Sequence, residues 1–153
     1  MQMNRRGLLK AAGAGTAVAA GAAIPVFSRL RADEPDVYQF RATLGLPERP
    51  LPNYATLILE GSVNLAKGTG MVASRLQAGH PGVTSDIGLP GLGRIISVTG
   101  VEQSGALLTI RGLIEDRSQL EPGESHQVEL VIDRARGVAR APFGSKTVEL
   151  TLA

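Results

Sequence analysis

The side chains in this chain that could do chemistry are few and far apart. Two histidines occur, His80 in "GHPG" and His126 in "ESHQ". Imidazole with carboxylate suits zinc, copper or iron. His80, Asp86 and His126 are therefore the candidate ligand or metal residues, with Asp116 or Glu124 as further carboxylates. Neither histidine has a second ligand at a spacing typical of a metal motif. Ser85 beside Asp86, with His80 upstream, supplies a nucleophile, an acid and a base. A hydrolase needs these assembled by the fold, and no Gly-x-Ser-x-Gly turn is present. Glu115, Asp116, Glu121 and Glu124 surround a turn, where carboxylates are usually solvated. The alternating oxygen ligands of a calcium loop are absent there. The run "GLPGLG", Gly88–Gly93, lacks the Lys-Ser/Thr of a phosphate-binding loop, has the wrong spacing for a dinucleotide fingerprint, and precedes no helix. With no cysteine there is no disulfide, thiolate, haem attachment or iron–sulfur cluster. The expectation is a non-catalytic protein without a cofactor.

The elements that must position these residues read as strands. Val37–Leu44 alternates Tyr38, Phe40, Ala42 and Leu44 against Gln39, Arg41 and Thr43. The proline cluster "GLPERPLPN" forbids a helix and makes a connector. Ala55–Leu65 places Leu57, Leu59, Val63 and Leu65 on one face and Thr56, Glu60, Ser62 and Asn64 on the other, with Ile58 the exception. Lys67-Gly68 predicts a hairpin into Met71–Leu76. The segment 77–93 reads as a long irregular loop, a place where binding function often sits. Arg94–Glu102 and Ala106–Glu115 form a second hairpin; Val128–Ile132, Val138–Phe143 and Val148–Leu152 complete the set. No segment after residue 32 carries a sustained 3.6-residue apolar stripe. The pattern predicts an all-β fold: an antiparallel β-sandwich or small β-barrel of about seven or eight strands.

The first thirty residues follow different rules. Between Lys10 and Arg29 lie eighteen residues without charge, and eleven of residues 11–27 are Ala or Gly. Such a run nearly spans a bilayer as a helix, yet it is weakly apolar and Pro25 breaks its far end. A basic stretch, a weakly apolar stretch and small residues before a polar chain describe a removable signal helix. The run Asn4-Arg5-Arg6-Gly7-Leu8-Leu9-Lys10 resembles the twin-arginine (Tat) export signal. Its recognition residues are then Arg5, Arg6, Leu8, Leu9 and Lys10. Asn4 stands where Ser or Thr is common, and Leu8 where Phe is common. The resemblance implies export in a bacterial-type cell, to the periplasm or beyond. It also implies recognition by the Tat translocation machinery. Cleavage is expected after Ala32, with Ala20-Gly21-Ala22 a competing site.

The division expected is thus 1–32 signal, 33–54 strand and Pro-rich connector, and 55–153 β-core, with 33–153 one domain. Five of the 16 Lys and Arg residues precede Asp33, whereas all 14 Asp and Glu lie from Asp33 onward. That leaves eleven cations against fourteen anions, a net charge of −3 after cleavage. No basic stripe with interleaved aromatics remains, so no nucleic-acid partner is expected. Contact with a membrane is expected only through the signal segment. Tat substrates cross folded, so a folded exported partner that travels with this chain is one expectation. The first functional expectation is an exported accessory or partner-binding β-domain. The alternative is a small barrel enzyme, or a ligand or metal carrier, using the 77–93 loop with His80 and His126. A filled core with an exposed apolar strand face favours the first. An internal cavity lined by a histidine and carboxylates favours the second. Changing Arg5 and Arg6 together to Lys should leave the precursor uncleaved in the cytoplasm; a cell-fractionation blot that still finds it exported overturns the Tat reading.

Overall fold

A strand with one apolar face must bury that face, and a row of such strands can do so by closing on itself. The computed structural model describes residues 36–48, 51–52, 54–88 and 93–153, with the side chains of 84–88 and 119 excepted. The Arg5–Lys10 run and the signal helix and cleavage sites expected from the sequence lie outside the described residues. Nine strands follow in order: β1 Val37–Leu46, β2 Ala55–Asn64, β3 Thr69–His80, β4 Val83–Gly88, β5 Arg94–Ser104, β6 Leu107–Ile114, β7 Gln127–Asp133, β8 Val138–Phe143 and β9 Lys146–Leu152. Every ladder is antiparallel. The ring runs β2-β1-β9-β8-β7-β6-β5-β3 and closes through β2–β3. This is an eight-stranded closed barrel, not a sandwich. A short 3-10 turn at Arg117–Gln119 is the sole helical element among the described residues. No helix among them is long and apolar enough to cross a membrane.

The ninth strand corrects one expectation. Most of segment 77–93 is not an irregular loop: β3 continues to His80 and turns into β4, which pairs with it outside the ring. The reason is backbone pairing. Beyond Ser74 the β5 edge of β3 has no partner within the ring, so β4 supplies one.

Register places the apolar rows inside. Phe40, Ala42, Leu44 and Leu46 of β1 stand opposite Gly61, Leu59, Leu57 and Ala55 of β2. The row continues through Val72 and Leu76 of β3, Ile96 and Val98 of β5, and Leu108, Ile110 and Ile114 of β6. Val128, Leu130 and Ile132 of β7, Ala139 and Ala141 of β8, and Val148 and Leu150 of β9 complete it. A bulge between Val98 and Gly100 shifts β5 by one residue, so that Val101 returns to the row opposite Ile110. Outside, β7 and β9 show the expected alternation of exposed and buried residues. Their polar faces carry cross-strand ion pairs, such as Glu102–Arg111–Glu129. Ile58, the exception in the pattern, points outward in register with Thr43 and Arg75 and is nevertheless buried. Glu60 on the same outward face draws in Arg41 from β1 at 3.4 Å and Arg75 from β3 at 3.1 Å. Two long stems thereby converge over β2.

The barrel has two different ends. At the end holding the starts of β1, β3, β6 and β8, the interior is filled. Phe40 lies against Gly61, where a Cβ would sit 2.3 Å from the ring. Tyr38 stacks on Phe40 with centroids 6.0 Å apart. Arg134 lies 5.9 Å above the Tyr38 ring and donates to the Gly105 carbonyl at 2.7 Å, closing that end. The opposite end, where β2, β5, β7 and β9 begin, carries the long connections 47–54 and 115–126 and the β3–β4 hairpin.

Two substitutions probe how tightly the row is packed. Leu130→Ala, at a fully buried site, should cost about 2–5 kcal/mol in urea unfolding. Gly112→Ala should cost about 1–3 kcal/mol by overpacking, because its Cβ would meet Ile96 Cγ2 at 2.5 Å and the Ser97 carbonyl at 2.8 Å.

Candidate functional site

The structure does not gather the expected ligands. His80 ends β3 and is exposed; its Nδ1 accepts from the Gly82 amide at 3.0 Å, which closes the β3–β4 turn. His126 is half-buried just before β7, and its carbonyl accepts from the Ile114 amide at 2.9 Å. β3 runs six residues from Ser74, at the barrel rim opposite Arg94, to His80. That is about 20 Å of strand. On its other edge β3 stays paired with β2 as far as Ala78, opposite Ala55, so His80 stands two residues beyond that pairing, at the β3–β4 turn. Asp86 lies in β4, and its side chain and that of Ser85 are outside the described set. Among the described residues no group of three or more His, Asp or Glu side chains could hold a metal ion.

The barrel end with the long connections holds a cavity instead. Its volume is about 140 Å³, and its walls are mainly Leu57, Leu59, Ile96, Ile114, Leu130 and Leu150. The cavity exists because two positions in the inward rows are small: Ser74 on β3 and Ala141 on β8. In the β3 row Ser74 is flanked by Val72 and Leu76, and the β8 row is small at two successive positions, Ala139 and Ala141. Phe143 and Gly144, at the β8–β9 turn, bound the cavity on one side. Neither histidine lines it, which departs from the histidine-lined cavity expected of a carrier or metal enzyme.

The mouth is charged. Arg94 opens β5 in phase with Ile96 and Val98, so its side chain belongs to the inward row. Its guanidinium pairs with Glu124 at 3.0 Å, the two side chains 20% and 12% exposed. The same Glu124 Oε2 accepts from the Glu121 amide at 2.9 Å, and the Glu124 amide donates to the Glu121 carbonyl at 2.9 Å. One carboxylate therefore fastens the 121–124 turn to itself and to the barrel wall. Removing either partner would strand a largely buried charge. Upstream, Asp116 caps the 117–119 turn by accepting from the Ser118 amide at 2.9 Å and the Ser118 hydroxyl at 2.6 Å. Glu115 takes the Ser97 hydroxyl, and its amide donates to the Ile95 carbonyl at 2.9 Å. The 115–126 connection is thus pinned to β5 at both ends, as a lid over the cavity.

Sequence reasoning placed Glu121 and Glu124 among solvated turn charges and gave Arg94 no role. The missed signal was phase: an arginine in the apolar row of a strand. Comparison with known proteins finds no matching family model, no matching curated protein and no matching solved structure.

The lid carries a pH dependence with a definite sign. The side-chain and backbone hydrogen bonds from Ser118, with the Arg94 charge behind them, hold the Asp116 carboxyl below its usual value of 3.8. A depressed carboxyl contributes fully above that value and loses its contribution as pH falls below it. The Ser118 amide proton resonance should therefore hold its position from neutral pH down to about 4, then move with a midpoint below the ordinary carboxylate value. Asp116→Asn should abolish that titration while leaving the barrel resonances in place.

Proposed function

We propose that this chain is an exported, non-catalytic carrier that holds a small apolar molecule inside the barrel, beneath the 115–126 lid. The supporting observation is the cavity of about 140 Å³ with aliphatic walls and a charged mouth. A cavity of about this size with Leu, Ile and Phe walls stays dry and takes up benzene-sized molecules. Eight strands leave an interior that side chains can fill, or that can hold one small ligand. Among the described residues the cavity has a hydroxyl at Ser74 and carboxylates at its rim, but no imidazole beside them. That favours holding over hydrolysis. The address rests on the Arg5-Arg6-Gly7-Leu8-Leu9-Lys10 run and its resemblance to Tat signals.

A second reading, an accessory domain that seats a folded exported partner, has its own support. Leu51, Tyr54, Val83, Leu107 and Phe143 are the large apolar side chains exposed among the described residues. All except Leu107 lie at the cavity end: Leu51 and Tyr54 between β1 and β2, Val83 at the start of β4 and Phe143 at the end of β8. Scattered exposed apolar residues are ordinary, but a concentration at one end is what a docking surface needs.

Toluene tests the first reading. Saturating toluene should raise the unfolding midpoint, since a ligand at a hundred times its Kd adds about 2.7 kcal/mol. Ala141→Leu fills the cavity and should erase the toluene effect without lowering the stability of the free protein by more than about 1–3 kcal/mol. A toluene effect that survives Ala141→Leu overturns the carrier reading. Loss of a co-purifying exported protein in a Tyr54→Ser, Val83→Ser variant would support the second reading.

A further inference from the structure

The charge around the mouth says what kind of molecule the cavity suits, given the carrier reading on which this step rests. Three side chains that line the cavity are ionisable: Arg94, Glu121 and Glu124. The first and last are paired with each other at 3.0 Å. Glu121 has no ion-pair partner among the described residues. Its Oε2 lies 3.7 Å from where a Cβ on Gly144 would stand, which puts the carboxylate over the β8–β9 turn, across the mouth. Asp116, close enough to Arg94 for the guanidinium to lower its pKa, adds a further negative charge on the lid. Arg117 and Lys146 are exposed and do not line the cavity.

We infer that the ligand is a small apolar amine, with a benzene-sized body in the cavity and its ammonium group at the mouth beside Glu121. The alternatives differ in what they must break. Among the described residues that line the cavity, Arg94 is the cation an anion would have to use. The anion would have to displace Glu124, and the Glu124 Oε2 that holds Arg94 also holds the Glu121 amide. Binding an anion therefore costs an ion pair and the hydrogen bond that closes the lid turn. It also sets the ligand charge against Glu121. A cation disturbs neither bond. It meets a carboxylate that is exposed and has no ion-pair partner among the described residues, and it can keep part of its hydration while its body goes down among Leu57, Ile96 and Leu130. A neutral apolar molecule gains the same burial without the charge contact.

Calorimetric or NMR titration of the purified chain with toluene, benzylamine and benzoate, at neutral pH and low salt, tests this. Benzylamine, protonated under these conditions, should bind about three- to five-fold tighter than toluene, the range expected of one partly exposed ion pair. Benzoate should bind more weakly than toluene. Glu121→Gln, an exposed change that leaves the Arg94–Glu124 pair intact, should bring benzylamine down to the toluene affinity and leave toluene unchanged. The benzylamine advantage should also shrink as salt is raised. Toluene and benzylamine binding equally well to the unaltered chain, or benzoate binding best, overturns the amine inference and leaves the carrier reading standing. Binding by none of the three overturns both.

Discussion

Everything in this protein depends on closing a ring of eight strands. The seam between the first and last strands is short. Ala42 pairs with Leu152 and Thr43 with Thr151, and the Ala153 amide donates to the Arg41 carbonyl at 2.9 Å. Once that seam forms, no ring strand is left as an open edge, and every strand must divide its residues between a shared interior and the outer surface. The interior is then a fixed volume, and each inward residue either fills its share or leaves a gap that others cannot take up.

The two ends settle that account differently. At one end large rings fill the space: Phe40 over Gly61, Tyr38 on Phe40, and Arg134 across the top. Gly61 is there because no Cβ fits beneath the ring. At the other end the rows carry Ser74 and Ala141, and the closing element is a connection with no strand of its own. The Arg94–Glu124 pair does for the lid what backbone ladders do for the wall, but with one carboxylate holding two donors. A closure made by so few bonds is the part of the molecule best suited to open.

The closed wall and the lid pinned over the cavity are the features on which the carrier proposal rests. The groups with most chemical potential, His80 and His126, serve as a turn acceptor and as a flank of β7. The charge pairs on the outer wall, Glu102–Arg111–Glu129 and Arg136 and Arg140 with Glu149, are solvent-facing and add little to stability individually. The burial that matters is the inward row and the doubly buried β2.

The sequence by itself determined the eight ring strands, because a period of two is local and survives without knowledge of partners. Val138–Phe143 was legible to the residue, and the hairpins at Lys67-Gly68 and across Gln103-Ser104-Gly105 were marked by their turn residues. It also carried the Arg5–Lys10 run on which the export proposal rests, and a linear run of residues can be read without the fold. Only the tertiary structure decided barrel over sandwich, since pairing order depends on which edges meet after collapse. It turned most of 77–93 into the end of β3 and a ninth strand, because an unpaired edge exists only once the ring is built. It put His80 in the β3–β4 turn and outside the lining of the cavity. It brought Arg94 and Glu124, thirty residues apart, into one ion pair over a hole left by Ser74 and Ala141. A cavity is the absence of side chains from several strands at one level, and no single stretch of sequence can show that.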